Sequence, residues 1–301
     1  MGNTWQGFSK EVSQVVNQAG KSVVAIDGRS GHTSSGIVWR SDTVITASHA
    51  IRHESAIRVI LGPDRTVQGR LIGRDRGTDI AVLKLDAEVQ VTAEFGSAAT
   101  LSVGDLAVAV ARTRRGNIVA SAGIISGLMG EWQVHRTRID QFIRPDLNLY
   151  PGFSGSALTG PDGKLLGLNT SGLLRGKAIT IPSSTLTRVA EEIVTKGHVT
   201  QPYLGLVMQP VQIPESLQKS AGVKAEVGLL AMHLEPGGPA DNGGMLLGDV
   251  LLEVDGTAFD DLDDVHKVLD RKGVGHDVQA TLIRGGNRIQ TTIKIGARPL
   301  G

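Results

Sequence analysis

Apolar residues recur along this chain with more than one period, and each change of period marks a boundary in its organisation. At residues 8 to 19, Phe8, Val12, Val15, Val16 and Ala19 fall at steps of three and four, the spacing of a short amphipathic helix that packs on the domain behind it. From Ser22 onward, short β-branched runs alternate with Gly and Asp punctuation: SVVAID, SGIVW, TVITA, AIRVIL, TVQGRLIG, DIAVLKL, LAVAVA, NIVASAGIISG, TRIDQFI, SALT, KLLGLNTSG and AITIP. About twelve strands in roughly 160 residues predict a Greek-key sandwich or a pair of β-barrels. A helix over SSTLTRVAEEIVTKG then closes the unit, with a Ser-rich start and Gly197 as its stop signal.

After the turn-prone GHVTQP, a second unit opens at YLGLVMQPV and runs to the end. Its order is a strand, a loop with ESLQKSAGV, a strand over GLLAMHL, a Gly/Pro-rich turn, a strand over DVLLEVDG, a helix over LDDVHKVLDRKG and two strands around RGGN. That mixture predicts a small α+β domain and sets the expected domains at 1–198 and 199–301. Length agrees with two units, because a single core stops growing near about 250 to 300 residues. The two units share no repeat, and neither contains a low-complexity stretch or heptads.

Composition narrows the picture. The 39 glycines and an aromatic fraction of 3% favour short strands and tight turns over a helical bundle, so the chain reads as mainly β. A net charge of +1 gives no argument for nucleic acid as a partner. The split of 22 Lys+Arg against 17 Asp+Glu up to residue 198, and 9 against 13 beyond it, describes unequal solvated faces. With no cysteine there is neither a disulfide framework nor a thiol nucleophile. The start, MGNTWQGFSKEV, lacks the basic and apolar regions of an export leader, and no apolar run approaches the roughly 18 residues of a membrane span. As written the chain is expected in the cytoplasm, or in the cell envelope if a leader was removed.

The sharpest chemical signal is PGFSGSAL at 151 to 158. A serine flanked by glycines can sit on a turn tight enough for its own N–H and that of the glycine two before it to point at one developing oxyanion. Here those donors are Gly152 and Ser154. The spacing is not the G-x-S-x-G elbow, because Ser156 stands where that motif needs its second Gly, and G-x-S-G alone is also an ordinary turn. A base is found in TVITASHAI, where His49 follows an apolar strand. His32, His53, His135, His198, His233, His266 and His276 sit in polar or turn-like contexts. His49 and His53 have the spacing of two metal ligands on a helix, yet Ala50 occupies the place of the general base in H-E-x-x-H, and no metal is expected. Asp79 heads the apolar strand of TDIAVLKLD, where a buried carboxylate has to accept a hydrogen bond. Each residue alone also reads as an exposed or structural one, but the order His, Asp, Ser is that of the chymotrypsin-like arrangement.

With these segments in view, the chain resembles the HtrA (Deg) family of trypsin-like serine proteases. The resemblance rests on VITASHAI, GTDIAVLKL, DLNLYPGFSGSAL, GLNTSG and AITIPSSTL in the first unit, and on YLGL, PGGPADNGGMLLGDVLLEVDG and the late helix in the second. It implies two perpendicular six-stranded β-barrels, a chymotrypsin-like double barrel with the triad His49, Asp79 and Ser154 in its cleft, followed by a PDZ domain. It implies a serine endopeptidase of unfolded or damaged proteins that uses no cofactor, with His49 taking the Ser154 proton, Asp79 holding the imidazole and the Gly152 and Ser154 amides binding the oxyanion. Asn148 stands six before the serine, where pockets selective for Lys or Arg carry an acid. With Leu149, Tyr150, Thr170 and Ser171 nearby, cleavage after small or medium apolar residues is expected. Tyr203, Leu204, Gly205 and Leu206 match the loop that receives a peptide's terminal carboxylate, beside a strand that takes the peptide as an extra strand. The implied partners are polypeptide substrates and peptide C-termini, with assembly as a trimer through Trp5 and Phe8.

The chain also departs from the family pattern. Relatives commonly read G-N-S-G-G, whereas here Phe153 replaces Asn, Ser156 replaces the last Gly, and Tyr150 stands where Asn is usual. The oxyanion donors survive because they are backbone groups. The same departures motivate a second reading, a catalytically weak or inactive protease-like scaffold that binds peptides.

Overall fold

The computed structural model describes residues 4–29, 32–134, 137–174, 177–259 and 261–298, so His135 lies outside the described residues. The chain divides into two compact units between Val199 and Thr200. In the first, β1 (Val23–Arg29), β2 (His32–Arg40), β3 (Thr43–Ala47), β4 (Ile57–Gly62), β5 (Arg65–Asp75) and β6 (Ile80–Leu85) close into a barrel in the order β1-β2-β3-β6-β5-β4. Next come β7 (Leu106–Arg112), β8 (Ile118–Met129), β9 (Trp132–Val134), β10 (Thr137–Ile139), β11 (Phe142–Asp146), β12 (Ala157–Thr159), β13 (Leu165–Leu174) and β14 (Lys177–Pro182). Of these, β9 and β10 pair as a separate ribbon and the others close a second barrel, β11-β14-β13-β12-β7-β8.

Burial on both faces explains why so many strands read as continuous apolar runs rather than alternating ones. All five residues of β3 are buried. Val44 packs with Val24, Ile26, Val38 and Leu83 in one cluster. Its neighbour Ile45 joins Val23, Ile37 and Val82 in the larger cluster that also takes in Val110, Leu168 and Ile181 of the second barrel. Two helices complete this cluster. From α1 (Thr4–Gly20), longer than the expected 8–19, Ala19 is buried in it, and from α2 (Ser183–Lys196) so are Leu186, Val189, Ala190 and Ile193. Gly197 ends α2 at φ +82°, with its N–H on Ile193 O, the left-handed stop the sequence signals. The Ser-rich start does not cap the helix: Pro182 holds the N-cap position, and the Ser183 hydroxyl donates to Gly96 O instead.

One predicted strand is corrected. TRIDQFI breaks at Asp140 and Gln141 into β10 and β11. There the Asp140 N–H donates to Thr185 Oγ1 of α2 at 2.9 Å and its carboxylate meets Arg188 and Arg138. Partners on other elements draw the residue out of the ladder. WQV, not expected as a strand, pairs with β10, and Trp132 meets Phe142 edge to face at 5.1 Å.

The second unit contains β15 (Pro202–Tyr203), β16 (Leu206–Gln212), β17 (Val227–Leu234), β18 (Val250–Val254), β19 (Thr257–Ala258), β20 (Asp277–Arg284), β21 (Asn287–Lys294) and β22 (Gly296–Ala297). The main sheet runs β16-β17-β18-β20-β21, with β19 on β18 and a β15–β22 ribbon. Helices α3 (Glu215–Ala221), α4 (Pro239–Asn242) and α5 (Leu262–Lys272) complete it. The segment ESLQKSAGV, expected as a loop, is helical at α3, entered from Pro214 and stopped by Gly222 at φ +63°. Asp261 caps α5 by accepting from the N–H groups of Asp263 and Asp264.

Candidate active site

The histidine and the aspartate meet at the rim of the first barrel. β3 ends at Ala47, and a single 3-10 turn, Ser48–Ala50, carries His49 off the strand. Asp79 stands in the turn between β5 and β6 at φ +58°, a left-handed conformation that Asp tolerates better than most residues. Asp75 fixes that turn by accepting from Thr78 N, Thr78 Oγ1 and Gly77 N. The Asp79 carbonyl accepts from Ser48 N–H at 2.9 Å. Its carboxylate accepts from His49 N–H at 2.8 Å and lies 2.7 Å from His49 Nδ1. In this contact the carboxylate oxygen accepts and the ring Nδ1 donates. The Asp79 side chain is 7% exposed and that of His49 39%, which gives a shielded carboxylate behind an accessible imidazole.

Three consecutive residues of β13 tie this pair to the serine. Thr170, fully buried, donates its hydroxyl to Asp79 Oδ2 and accepts Gly172 N–H at 2.9 Å. Ser171 Oγ lies 3.3 Å from Ser154 Oγ. Gly172 abuts the pair so closely that a Cβ there would stand 2.6 Å from both Asp79 Oδ2 and His49 Nδ1. The β13–β14 register shifts between Thr170 and Leu174, at the point where the strand meets the site. One strand therefore contacts all three expected catalytic residues. Thr170, expected in the substrate pocket, is completely buried, with its hydroxyl on the Asp79 carboxylate.

The loop before Ser154 is a turn with a defined hand. Phe153 N–H donates to Tyr150 O at 3.0 Å across Pro151 and Gly152, and Gly152 has φ +98°. Pro followed by a positive-φ Gly is the signature of a type II turn, in which the orientation of the middle peptide, the one bearing Gly152 N–H, is set by that Gly. The Pro-Gly dipeptide was a second readable signal for this turn, beside the serine motif. Among the described residues neither Gly152 N–H nor Ser154 N–H has a protein acceptor. Phe153, the family departure, points into the interior, 3% exposed, against Ala109 and Ala111 with Leu147 and Leu149 beside them. Ser156 is also buried, its hydroxyl accepting from Asn169 Nδ2 at 3.0 Å.

Of the other expected pocket residues, Asn148 and Tyr150 are exposed and Leu149 is half-buried. The Tyr150 ring meets Phe153 edge-on at 5.7 Å. In the second unit Tyr203 lies in β15, Leu204 is buried, Gly205 has φ +72° and Leu206 opens β16. The carbonyls of Leu204 and Gly205 accept from Ala240 and Glu235 N–H, both at 2.8 Å. Among the described residues no group of three His, Asp or Glu side chains gathers to hold a metal ion, and no helix is long and apolar enough to cross a membrane.

Comparison with known proteins bears on both units. Residues 34–168 match the trypsin-like peptidase domain family and residues 202–295 the PDZ domain family. The chain is 31% identical over 286 residues to the serine protease Do-like HtrA of Lactobacillus helveticus, covering 87% of this chain and 68% of that protein. It is 31% identical over 284 residues to a probable periplasmic serine endoprotease, DegP-like, of Halomonas elongata, covering 90% of this chain and 59% of the relative. Among solved structures, the HtrA-type protease AlgW with tripeptide superposes with a TM-score of 0.74 at 26% identity, over 96% of this chain and 98% of that one.

Proposed function

This chain belongs to the HtrA family of serine proteases, and on that footing we propose that it is a serine endopeptidase of unfolded or damaged polypeptides, with His49, Asp79 and Ser154 as its triad. The observation that carries the reading is the contact of β13 with all three residues, through Thr170, Ser171 and Gly172. Ser154 Oγ attacks the scissile carbonyl while His49 Nε2 takes its proton and later returns it to the leaving amine. Asp79 stabilises the imidazolium through Nδ1–H. The N–H groups of Gly152 and Ser154 receive the oxyanion, each contributing on the order of 3 kcal/mol in such sites. Asn148, Leu149, Tyr150 and Ser171 form the specificity wall, without a carboxylate to attract Lys or Arg, so cleavage follows small or medium apolar residues.

The scaffold alternative drew its motive from Phe153 and Ser156. Both side chains are buried, Phe153 against Ala109 and Ala111 and Ser156 on Asn169, and they leave the N–H of Gly152 without a protein acceptor among the described residues, which favours the protease. The second unit, as a PDZ domain, receives a peptide's C-terminal carboxylate at Tyr203, Leu204, Gly205 and Leu206 and adds the peptide to the edge of β16. Trp5 and Phe8, 79% and 42% exposed on α1, are the surface through which three copies assemble. The Halomonas relative is named as a probable periplasmic endoprotease, which favours the cell-envelope alternative here. The test is incubation with a denatured protein and mapping of fragments by mass spectrometry. The wild-type chain yields internal cuts after small or medium apolar residues and Ser154→Ala yields none. Binding without fragments in both would support the scaffold.

A further inference from the structure

The two backbone donors proposed for the oxyanion have their own carbonyls held by one residue outside the triad. Ser35, in β2, is completely buried. Its N–H donates to Ser154 O at 2.8 Å, and its hydroxyl donates to Gly152 O at 2.9 Å. The direction of the second bond is fixed because a carbonyl oxygen can only accept, and the same hydroxyl accepts the backbone N–H of Arg112 at 3.2 Å through a lone pair. Ser35 O in turn accepts from Thr46 Oγ1, and Gly155 passes so close that a Cβ there would stand 1.9 Å from that oxygen.

Arg112 is itself immobilised. Its guanidinium donates to Val23 O, Gly116 O and Gly20 O at 2.6 to 2.7 Å. Gly20 is the last residue of α1, so the cation also sits at the negative end of that helix. Burial lowers the arginine's pKa from its ordinary value.

From this geometry we infer that Ser35 is a positioning residue for the oxyanion hole: by gripping the carbonyls of Gly152 and Ser154 it sets the spacing and convergence of their N–H groups. Within one residue the N–H and the C=O are related only through φ and ψ, so pinning both carbonyls on one rigid strand limits the relative motion of the two donors. Oxyanion stabilisation depends on donors already placed where charge develops. Ser35 touches neither substrate nor nucleophile oxygen in this role and acts through the loop alone.

The inference rests on the protease reading, and its test separates the two. On the full chain, kcat and KM are measured with a chromogenic peptide ending in a small apolar residue, together with the affinity of the matching peptide aldehyde, whose adduct places an oxyanion in the hole. Ser35→Ala is expected to lower kcat about tenfold and to weaken the aldehyde by a similar factor, with KM within about twofold. Ser35→Thr keeps the hydroxyl while adding a methyl, and is expected to retain kcat within about threefold. A residue that only fills space gives the reverse order, with Ala tolerated and Thr harmful, and that result overturns the inference, as does an unchanged kcat in Ser35→Ala. Should Ser35→Ala not fold, Ser35→Thr decides: retained kcat supports the inference, while lost kcat or a second misfolded variant overturns it. A folded wild-type chain that cleaves nothing refutes the protease reading itself, before Ser35 is at issue.

Discussion

At the scale of single residues, Gly172 carries more of the site than its neighbours. It has no side chain because the His49–Asp79 pair occupies the space where one would go. Gly172→Ala is expected to push the imidazole off its carboxylate and lower kcat/KM by about a hundredfold or more, since a displacement near 1 Å costs about that much. The melting temperature should change little, and steady-state kinetics beside a thermal melt check both. The contrast with the triad bears on what a sequence makes legible. His49, Asp79 and Ser154 stand out because each interrupts an apolar strand or a Gly-rich turn with a reactive side chain, and their order limits the arrangement. Gly172, and Thr170 behind Asp79, were not legible as supports, because their roles arise where β13 crosses behind two loops distant in sequence.

At the scale of elements, β16 is an edge strand with a built-in end. The register Gln209↔Leu230 and Val211↔Gly228, followed by Ile213 N–H on Glu226 O, turns the odd-numbered residues toward β17 and leaves Pro210 facing the open edge without an N–H. A peptide added there pairs along Leu206 and Met208 and then loses its next donor. Peptides of about eight residues should therefore bind no more than about twofold tighter than tetrapeptides with the same C-terminus, and Pro210→Ala should open a larger difference in calorimetric titrations. In the same unit the Asp249 carboxylate, 2% exposed, accepts Arg284 Nε and Nη2 at 2.8 and 2.7 Å and Leu246 N–H at 2.7 Å. Arg284 keeps about a third of its side chain in solvent, so the pair is discounted, and Asp249→Ala should destabilise the unit by about 2 kcal/mol in denaturant unfolding. Most strands were readable because burial on both faces writes unbroken β-branched runs. TRIDQFI misled because Asp140 answers to α2 and its arginines. Helix α3 was missed because seven residues hold too few turns for a period, although Pro214 and Gly222 bracket it.

At the scale of the whole molecule, two units of different architecture follow one another along the chain, which divides between Val199 and Thr200. Assembly is an expectation that only the family resemblance supplies, because an exposed tryptophan on a helix has no pattern of its own. If Trp5 and Phe8 join three copies, light scattering at micromolar concentration gives three times the chain mass, and Trp5→Ala with Phe8→Ala reduces it to one.

The central claim is the proposal that Ser154 is the nucleophile. Its most direct test is reaction of the full chain with a fluorophosphonate, followed by intact mass and peptide mapping. The account expects one adduct per chain, on Ser154, formed without added peptide, slowed at least about a thousandfold in His49→Ala and absent in Ser154→Ala. An unmodified Ser154, with or without a C-terminal peptide present, would contradict it.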